Sequence, residues 1–562
     1  MKAWFGLLVA LAGGLLLAVI GTTPPAPLAA TAPEESFSAA RAMAHVERMA
    51  ASPRPTGSGA LEEVRGYLAA TLRELGAEVS FQAVSLSERG TARLDDWRGE
   101  KAPVSAPELV NIIGVFPGAE PDLHAVLLMA HYDSVWGSPG AADDAAGVAA
   151  ILEVVRALQA EGGDRQRGII VLLTDAEELD LGGARAFFTE HPLRERAGAI
   201  VNLEARGAGG RTTLFQTSSG NGAAVRLYQR AVPRPAGSSL ATFVYDQLPN
   251  DTDLTEALSG PYTSYNLSFI GRPGLYHSPA ATAAALDRGA LQDMGAQTLA
   301  LTRELSRAAA LPEPEADWTF FDVFGLFLIA YPAWGGWILF AAAAVLQWLA
   351  LRGLPKAANL GRRAAGFVAV AGGGGLLLYA GNLLSGADGV TNYYDRLAAI
   401  PRLEAQGLLI CLAVLVATAP IWAGRLGAPV ALVLGLALQI AAPTTSYIVL
   451  WPLLLGSLAA AAVRYVKPPL APLIAAIPAA LGLGFLLQFG HALMQAVGPD
   501  MPAAAALFAA LAVPLLAPLT PQVRRKAGLA VAGACLLVAA GIALWVRLDP
   551  VADTVAVYSE FR

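Results

Sequence analysis

Between Leu127 and Val155 the sequence reads LLMAHYDSVWGSPGAADDAAGVAAILEVV, which gathers His131, Asp133, Asp143 and Asp144 in a chain with only six histidines and 15% charged residues. Further on, Asp175, Glu177 and Glu178 follow GIIVLLT, Glu204 ends AIVNLE, and His277 follows IGRPGLY. An H-x-D, an acidic pair or a lone histidine is commonplace alone; their succession along one chain is not. Nitrogen and carboxylate ligands with no thiolate suit a hydrolytic zinc site, and a carboxylate shared by two metals would let both polarise one water. The two cysteines, Cys411 and Cys535, lie inside apolar segments, so neither a disulfide nor a thiolate site is expected.

These residues need a scaffold that delivers them to one place. ELVNIIGVF, HAVLLMAH, GIIVLLTD, AIVNLEA and TTLFQTS read as strands, with helical patterns between them. Val148, Ile151, Leu152 and Val155 recur at helical spacing, and Asp143 or Asp144 could cap that helix. Alternating strands and helices predict an α/β domain built on a mixed, largely parallel sheet flanked by helices. In such sheets ligands bind beyond the carboxyl ends of the strands, which is where the histidines and acids fall.

This order resembles the di-zinc exopeptidases, the family of bacterial leucyl aminopeptidases, glutamate carboxypeptidase and the transferrin receptor. The resemblance covers about residues 40 to 310 and rests on HYD, DDAAG, EE, NLEA and YHS. It implies two zinc ions per chain, with His131 and Glu204 on one, Glu178 and His277 on the other, and Asp143 between them. It makes Glu177 the general base and Asp133 the carboxylate that fixes the His131 tautomer, a role that metal-bound imidazole requires in any case. Tyr276 either stabilises an oxyanion or packs beside the last ligand. Asp251 and Asp253, in LPNDTDL, are candidates for contacts with substrate or ligands, or residues of a solvated turn, and stay outside the catalytic set. His45, His124, His191 and His491 occupy ordinary positions, His491 in an outer loop.

The rest of the chain is of another kind. With 55% hydrophobic residues and a mean hydropathy of +0.49, it is too apolar for one soluble globule. Residues 1–22 read as a signal anchor or a signal peptide, 35–312 as an exported peptidase domain, 320–547 as a transmembrane domain of about eight helices, and 548–562 as a short tail on the outer side. The stretches lie near 328–351, 364–384, 405–424, 428–444, 446–463, 469–490, 502–519 and 527–546. Arg352, Lys356, Arg362 and Arg363, then Arg425, then Arg464 and Lys467, then Arg524, Arg525 and Lys526 occupy alternate loops, which places those loops in the cytoplasm. The peptidase domain then faces outward, periplasmic in a bacterial inner membrane and luminal in a eukaryote. AVAGGGGLLLYAG reads as close helix packing rather than a phosphate loop.

This layout looks like the membrane-embedded branch that includes the endoplasmic reticulum metallopeptidases and vacuolar membrane proteases. Eukaryotic members carry a long luminal C-terminal region, whereas residues 548–562 follow the last span here. The expected activity is hydrolysis of peptide bonds in a peptide or protein substrate, most simply as an aminopeptidase. The alternatives are a glutaminyl-cyclase-like acyltransferase with a single zinc and a non-enzymatic membrane receptor or scaffold. The net charge of −6 and the absence of a Lys/Arg-rich run argue against nucleic acid as a partner. NDT and NLS match the glycosylation pattern.

Overall fold

β-Branched and leucine-rich runs form the centre of a seven-stranded sheet: β1 (Glu78–Ser85), β2 (Glu108–Phe116), β3 (Ala125–His131), β4 (Ile169–Thr174), β5 (Ala197–Ala205), β6 (Thr213–Thr217) and β7 (Thr263–Phe269). The structure is a computed structural model, and it describes residues 2–98, 107–163, 165–353, 360–391, 393–424 and 426–549. The chain divides into two units. Among the described residues, one comprises Thr23–Asp322 with Leu326–Ala330, the other 2–22, Val323–Gly325 and 331–549.

In the first unit the strand order is β1-β2-β4-β3-β5-β7-β6. The four central strands β4, β3, β5 and β7 run parallel, and β1, β2 and β6 are antiparallel to their neighbours. All residues of β3 and β4 are buried, as expected of parallel strands covered on both faces. Val126, Leu128 and Ala130 pack on one side with Val148, Leu152 and Leu291; Leu127 and Met129 pack on the other with Phe187 and Leu254. Each of the Val, Leu, Met and Phe side chains contributes about 1.5–3 kcal/mol on burial, and two apolar faces of different shape fix the strand register.

The helices Ala39–Met49, Ala145–Glu161 and Arg288–Arg307 pack against one another on the first side. The last buries polar groups as well: Asp293 Oδ2 lies 2.6 Å from Arg211 Nε and accepts the Thr212 N–H at 3.0 Å, with both side chains of the ion pair nearly sealed from solvent. Asp293→Ala leaves the guanidinium buried without its anion and is expected to cost about 3–5 kcal/mol. A lowered urea midpoint, followed by near-ultraviolet circular dichroism, measures it.

The five expected strands are all present. β1 and β7 were not anticipated, nor was the hairpin Trp318–Val323 with Phe327–Pro332. The hairpin strand Phe327–Pro332 takes the first part of the stretch expected to span at 328–351, whose helix begins at Gly336. NLS falls on β7, where Asn266 is fully buried and closed to a glycan; Asn250 of NDT is exposed.

In the second unit, seven helices among the described residues are long and apolar enough to cross a membrane: Trp4–Thr22, Ala333–Leu351, Gly361–Ala387, Ile400–Trp422, Tyr447–Tyr465, Ala471–Val497 and Arg525–Leu548. Of the eight stretches expected after the peptidase domain, six reach that length. The other two form the shorter apolar helices Pro429–Ala441 and Pro502–Leu516. At 1.5 Å per residue these fall short of a hydrocarbon core of about 30 Å; Pro443 follows the first and Pro514 interrupts the second. His491 lies in helix Ala471–Val497 rather than in a loop, with Nδ1 2.6 Å from Glu404 Oε1.

Close packing in the glycine run is real at Gly374 and Gly381, where an added Cβ would come within 3.2 Å of Ala506 Cβ and 2.5 Å of Gln406 Nε2; Gly372 faces open space. The Tyr465 hydroxyl donates to Leu349 O at 2.8 Å, so the ends carrying Arg352 and Arg464 meet. Lys356, Arg425 and the tail from residue 550 lie outside the described residues.

Candidate metal centre

Parallel strands point their carboxyl ends to one edge of the sheet, and each of the four central strands brings a candidate residue there. His131 ends β3, Asp175 to Glu178 follow β4, Glu204 is the penultimate residue of β5, and His277 follows the turn after β7. Asp143 arrives from the loop that leads into helix Ala145–Glu161. Asp144 caps that helix by accepting the Gly147 N–H at 3.0 Å. A Cβ at position 147 would sit 2.3 Å from Asp144 Oδ2, which explains the glycine of DDAAG. The Asp143–Asp144 peptide bond is cis.

The candidates converge on Asp143. Its Oδ1 lies 3.0 Å from His131 Nε2 and its Oδ2 lies 3.2 Å from His277 Nε2. His277 Nε2 is also 3.2 Å from Glu178 Oε2, and His131 Nε2 is 4.0 Å from Glu204 Oε2. Two groups of donors, His131–Asp143–Glu204 and Asp143–Glu178–His277, each lie within 4.8 Å of one another and share Asp143; a third joins His131 with Glu177 and Glu178. His277 reaches this position with φ 54°, a left-handed backbone that costs a non-glycine residue about 1–3 kcal/mol.

Electrostatically the cluster is crowded with acids. Burial works to lower the His131 pKa, but Asp133 and Asp143 outweigh it and hold it well above the usual range. Burial likewise works to raise Asp143, and the two imidazoles overcome it and hold the carboxyl below its usual range. Glu177 and Glu204 are pushed well up, first by burial and then by neighbouring carboxylates. Glu178 Oε1 and Glu204 Oε1 are buried without a hydrogen-bond partner. Unpaired buried oxygens, repelling acids and two imidazole nitrogens aimed at one carboxylate fit divalent cations that take nitrogen and oxygen ligands.

Asp133 stands behind these groups. Its Oδ1 is 3.3 Å from His131 Nδ1, an ion-pair distance that does not meet hydrogen-bond geometry, and its oxygens accept the Glu177 and Glu178 N–H groups at 3.2 and 3.4 Å. It ties the loop after β3 to the loop after β4. Tyr276 stacks on His277, with ring centroids 3.6 Å apart.

Asp251 and Asp253 part company: Asp251 is exposed, whereas Asp253 is buried and accepts a hydrogen bond from the Thr174 hydroxyl at the end of β4. Burial, then Asp133, raises Asp253 to about 7. Two residues near the cluster were missed. Tyr245 ends helix Ser239–Tyr245; burial and then Glu204 raise its hydroxyl pKa, so it stays protonated. Arg54 is fully buried against the loop after β3. A lone tyrosine and a lone arginine in a proline-containing turn carry no spacing signal.

Residues 111–302 match the model of Peptidase family M28. That segment is similar to the peptidases of that family. Human Endoplasmic reticulum metallopeptidase 1 is 37% identical over 217 residues, 37% of this chain and 24% of that protein. The Vacuolar membrane protease of Eremothecium gossypii is 28% identical over 290 residues, 50% of this chain and 28% of that protein. The chain thus spans less than a third of the length of either relative. Among solved structures, a Zn-dependent exopeptidase from Parabacteroides distasonis is 23% identical with a TM-score of 0.37, covering 48% of this chain and 99% of that one. His131, Asp143, Glu177, Glu178, Glu204 and His277 all lie inside the matched residues.

Proposed function

We propose that this chain is a membrane-bound zinc peptidase that removes residues from the amino ends of peptides, with two zinc ions per chain. His131 and Glu204 would hold one and Glu178 and His277 the other, with Asp143 available to both. The observation that carries the reading is the position of Asp143, whose two oxygens face two histidines from different strand ends.

Zinc bound there would supply Lewis acidity, lowering the pKa of water and polarising the scissile carbonyl. The protein's own groups do the rest. Glu177 takes a proton from the attacking water and returns it to the leaving amine. Its pKa, raised by burial, makes it a stronger proton acceptor than an ordinary glutamate. Asp133 keeps the His131 ring oriented, and its grip on the Glu177 and Glu178 N–H groups keeps base and ligand in register. Seven apolar helices of spanning length support attachment to the bilayer, and Arg352, Arg362 and Arg363, at the connection after the first span that follows the peptidase unit, support an outward-facing unit.

The test is hydrolysis of aminoacyl substrates with free and blocked amines by the full chain. Chelation is expected to abolish cleavage and zinc to restore it, with the blocked substrates uncut. Cleavage that resists chelation refutes the zinc site; equal cleavage of blocked substrates refutes the aminopeptidase assignment.

A further inference from the structure

Arg54 has no part in the chemistry above, yet it is among the largest fully buried side chains of the protein. All three guanidinium nitrogens donate to backbone carbonyls of a single loop: Nε to Tyr132 O at 2.7 Å, Nη1 to Pro139 O, and Nη2 to Gly140 O at 3.0 Å. The backbone adds to the grip. The Arg54 N–H donates to Ser134 Oγ at 3.0 Å, the Ser134 N–H donates to Arg54 O at 3.2 Å, and Ser134 Oγ donates to Ser138 O at 2.9 Å. The loop therefore wraps around the guanidinium. His131 stands just before it and Asp143 just after it, their side chains 3.0 Å apart.

Two residues on, the Thr56 hydroxyl donates to Asp175 Oδ1 at 2.8 Å, at the start of the second acidic loop. One short segment, Arg54 to Thr56, thus reaches both loops that carry candidate ligands. Asp133, Asp143, Asp144 and Glu178 also attract the buried cation; burial lowers its pKa to about 10, so it stays charged at neutral pH.

On the metal-site reading above, we infer that Arg54 is a positioning residue: by ordering the loop 132–140 it sets the spacing of His131 and Asp143 before metal arrives. A planar fork can serve three carbonyls at once, whereas an ammonium of the same charge is a point donor. Arg54→Lys therefore keeps the charge and loses the geometry. A loop left free must be ordered when metal binds, and affinity falls accordingly.

The experiment is a competition titration of zinc against a chromophoric chelator, on the full chain in detergent, for wild type, Arg54→Lys and Ser134→Ala. Circular dichroism of the metal-stripped proteins and kcat and KM on an aminoacyl substrate accompany it. Arg54→Lys is expected to bind zinc about 10–100-fold more weakly, as loss of a supporting group around a metal site does, with kcat lowered and KM little changed. Ser134→Ala, which loses one tether, is expected to weaken zinc by about 2–10-fold and carries the test should Arg54→Lys not fold. Wild-type zinc affinity in the folded variants overturns the inference and leaves the peptidase reading standing. A wild-type chain that takes up no zinc overturns both.

Discussion

Glu177→Gln is expected to lower the rate of peptide hydrolysis by about 10²–10⁴-fold, the usual worth of a positioned general base, while zinc content and thermal stability stay at wild-type values. The amide matches the carboxylate in shape and cannot take a proton from water. The pH profile gives a second readout. Burial and the carboxylates of Glu178, Asp253 and Asp143 raise Glu177 above the ordinary glutamate range, although His131 opposes them. The base works only when deprotonated, so activity falls as pH drops through that raised value. The acidic limb of kcat/KM should lie above about 4.3, the value of an unperturbed glutamate, and the residual activity of Glu177→Gln should lack it. A variant that keeps both the rate and the acidic limb would remove Glu177 from the mechanism.

Asp143→Ala is expected to have the broader effect. The carboxylate is the one group common to both three-residue donor sets that contain Glu204 or His277, so its loss opens both. Zinc content should fall below one per chain. Affinity should drop by more than the roughly 10–100-fold that losing a mere supporting partner costs, and hydrolysis should fall to background. The substitution also strips His131 and His277 of a shared anion at 3.0 and 3.2 Å; since Asp143 helps to raise the His131 pKa, the His131 imidazole should titrate at lower pH in the metal-free variant. Elemental analysis and imidazole proton chemical shifts read the two effects. Retention of two zincs in Asp143→Ala would place the bridge elsewhere.

How much of this was written in the sequence depends on the kind of signal. The strands β3 and β4 are continuous apolar runs because helices cover both their faces, and such runs are legible residue by residue. The acids that follow them could then be assigned to one edge by the geometry of parallel strands alone. β7 was illegible for the opposite reason: Ser264, Asn266 and Ser268 are buried polar residues, and Asn266 pairs with Asn202 and Gln216 on other strands and with Thr252 in the preceding loop. The two strand partners lie 64 and 50 residues away in sequence, so the segment reads as a polar loop. Helix Arg288–Arg307 hides Gln292, Asp293, Gln297 and Thr298 in the same way.

The site shows the same division. His131, Asp143, Glu178, Glu204 and His277 were legible because their types and order carry chemistry. Their mutual distances were not, since these come from strand order. Arg54 contributes through contacts with carbonyls 78 to 86 residues away, and backbone carbonyls leave no mark in a sequence. Asp253 was named but could not be told from its exposed neighbour Asp251, because only the packing of the segment against Thr174 separates them. The two short apolar helices mark the limit of hydropathy: composition identifies an apolar stretch, whereas proline positions decide how long a helix it makes.

The central claim is a pair of metal sites joined at Asp143, and the number of zinc ions held by the intact chain tests it most directly. Elemental analysis of the full protein, purified without chelator and dialysed against metal-free buffer, should give two zincs per chain. A single zinc would contradict the bridged arrangement, and none would contradict the metal centre altogether.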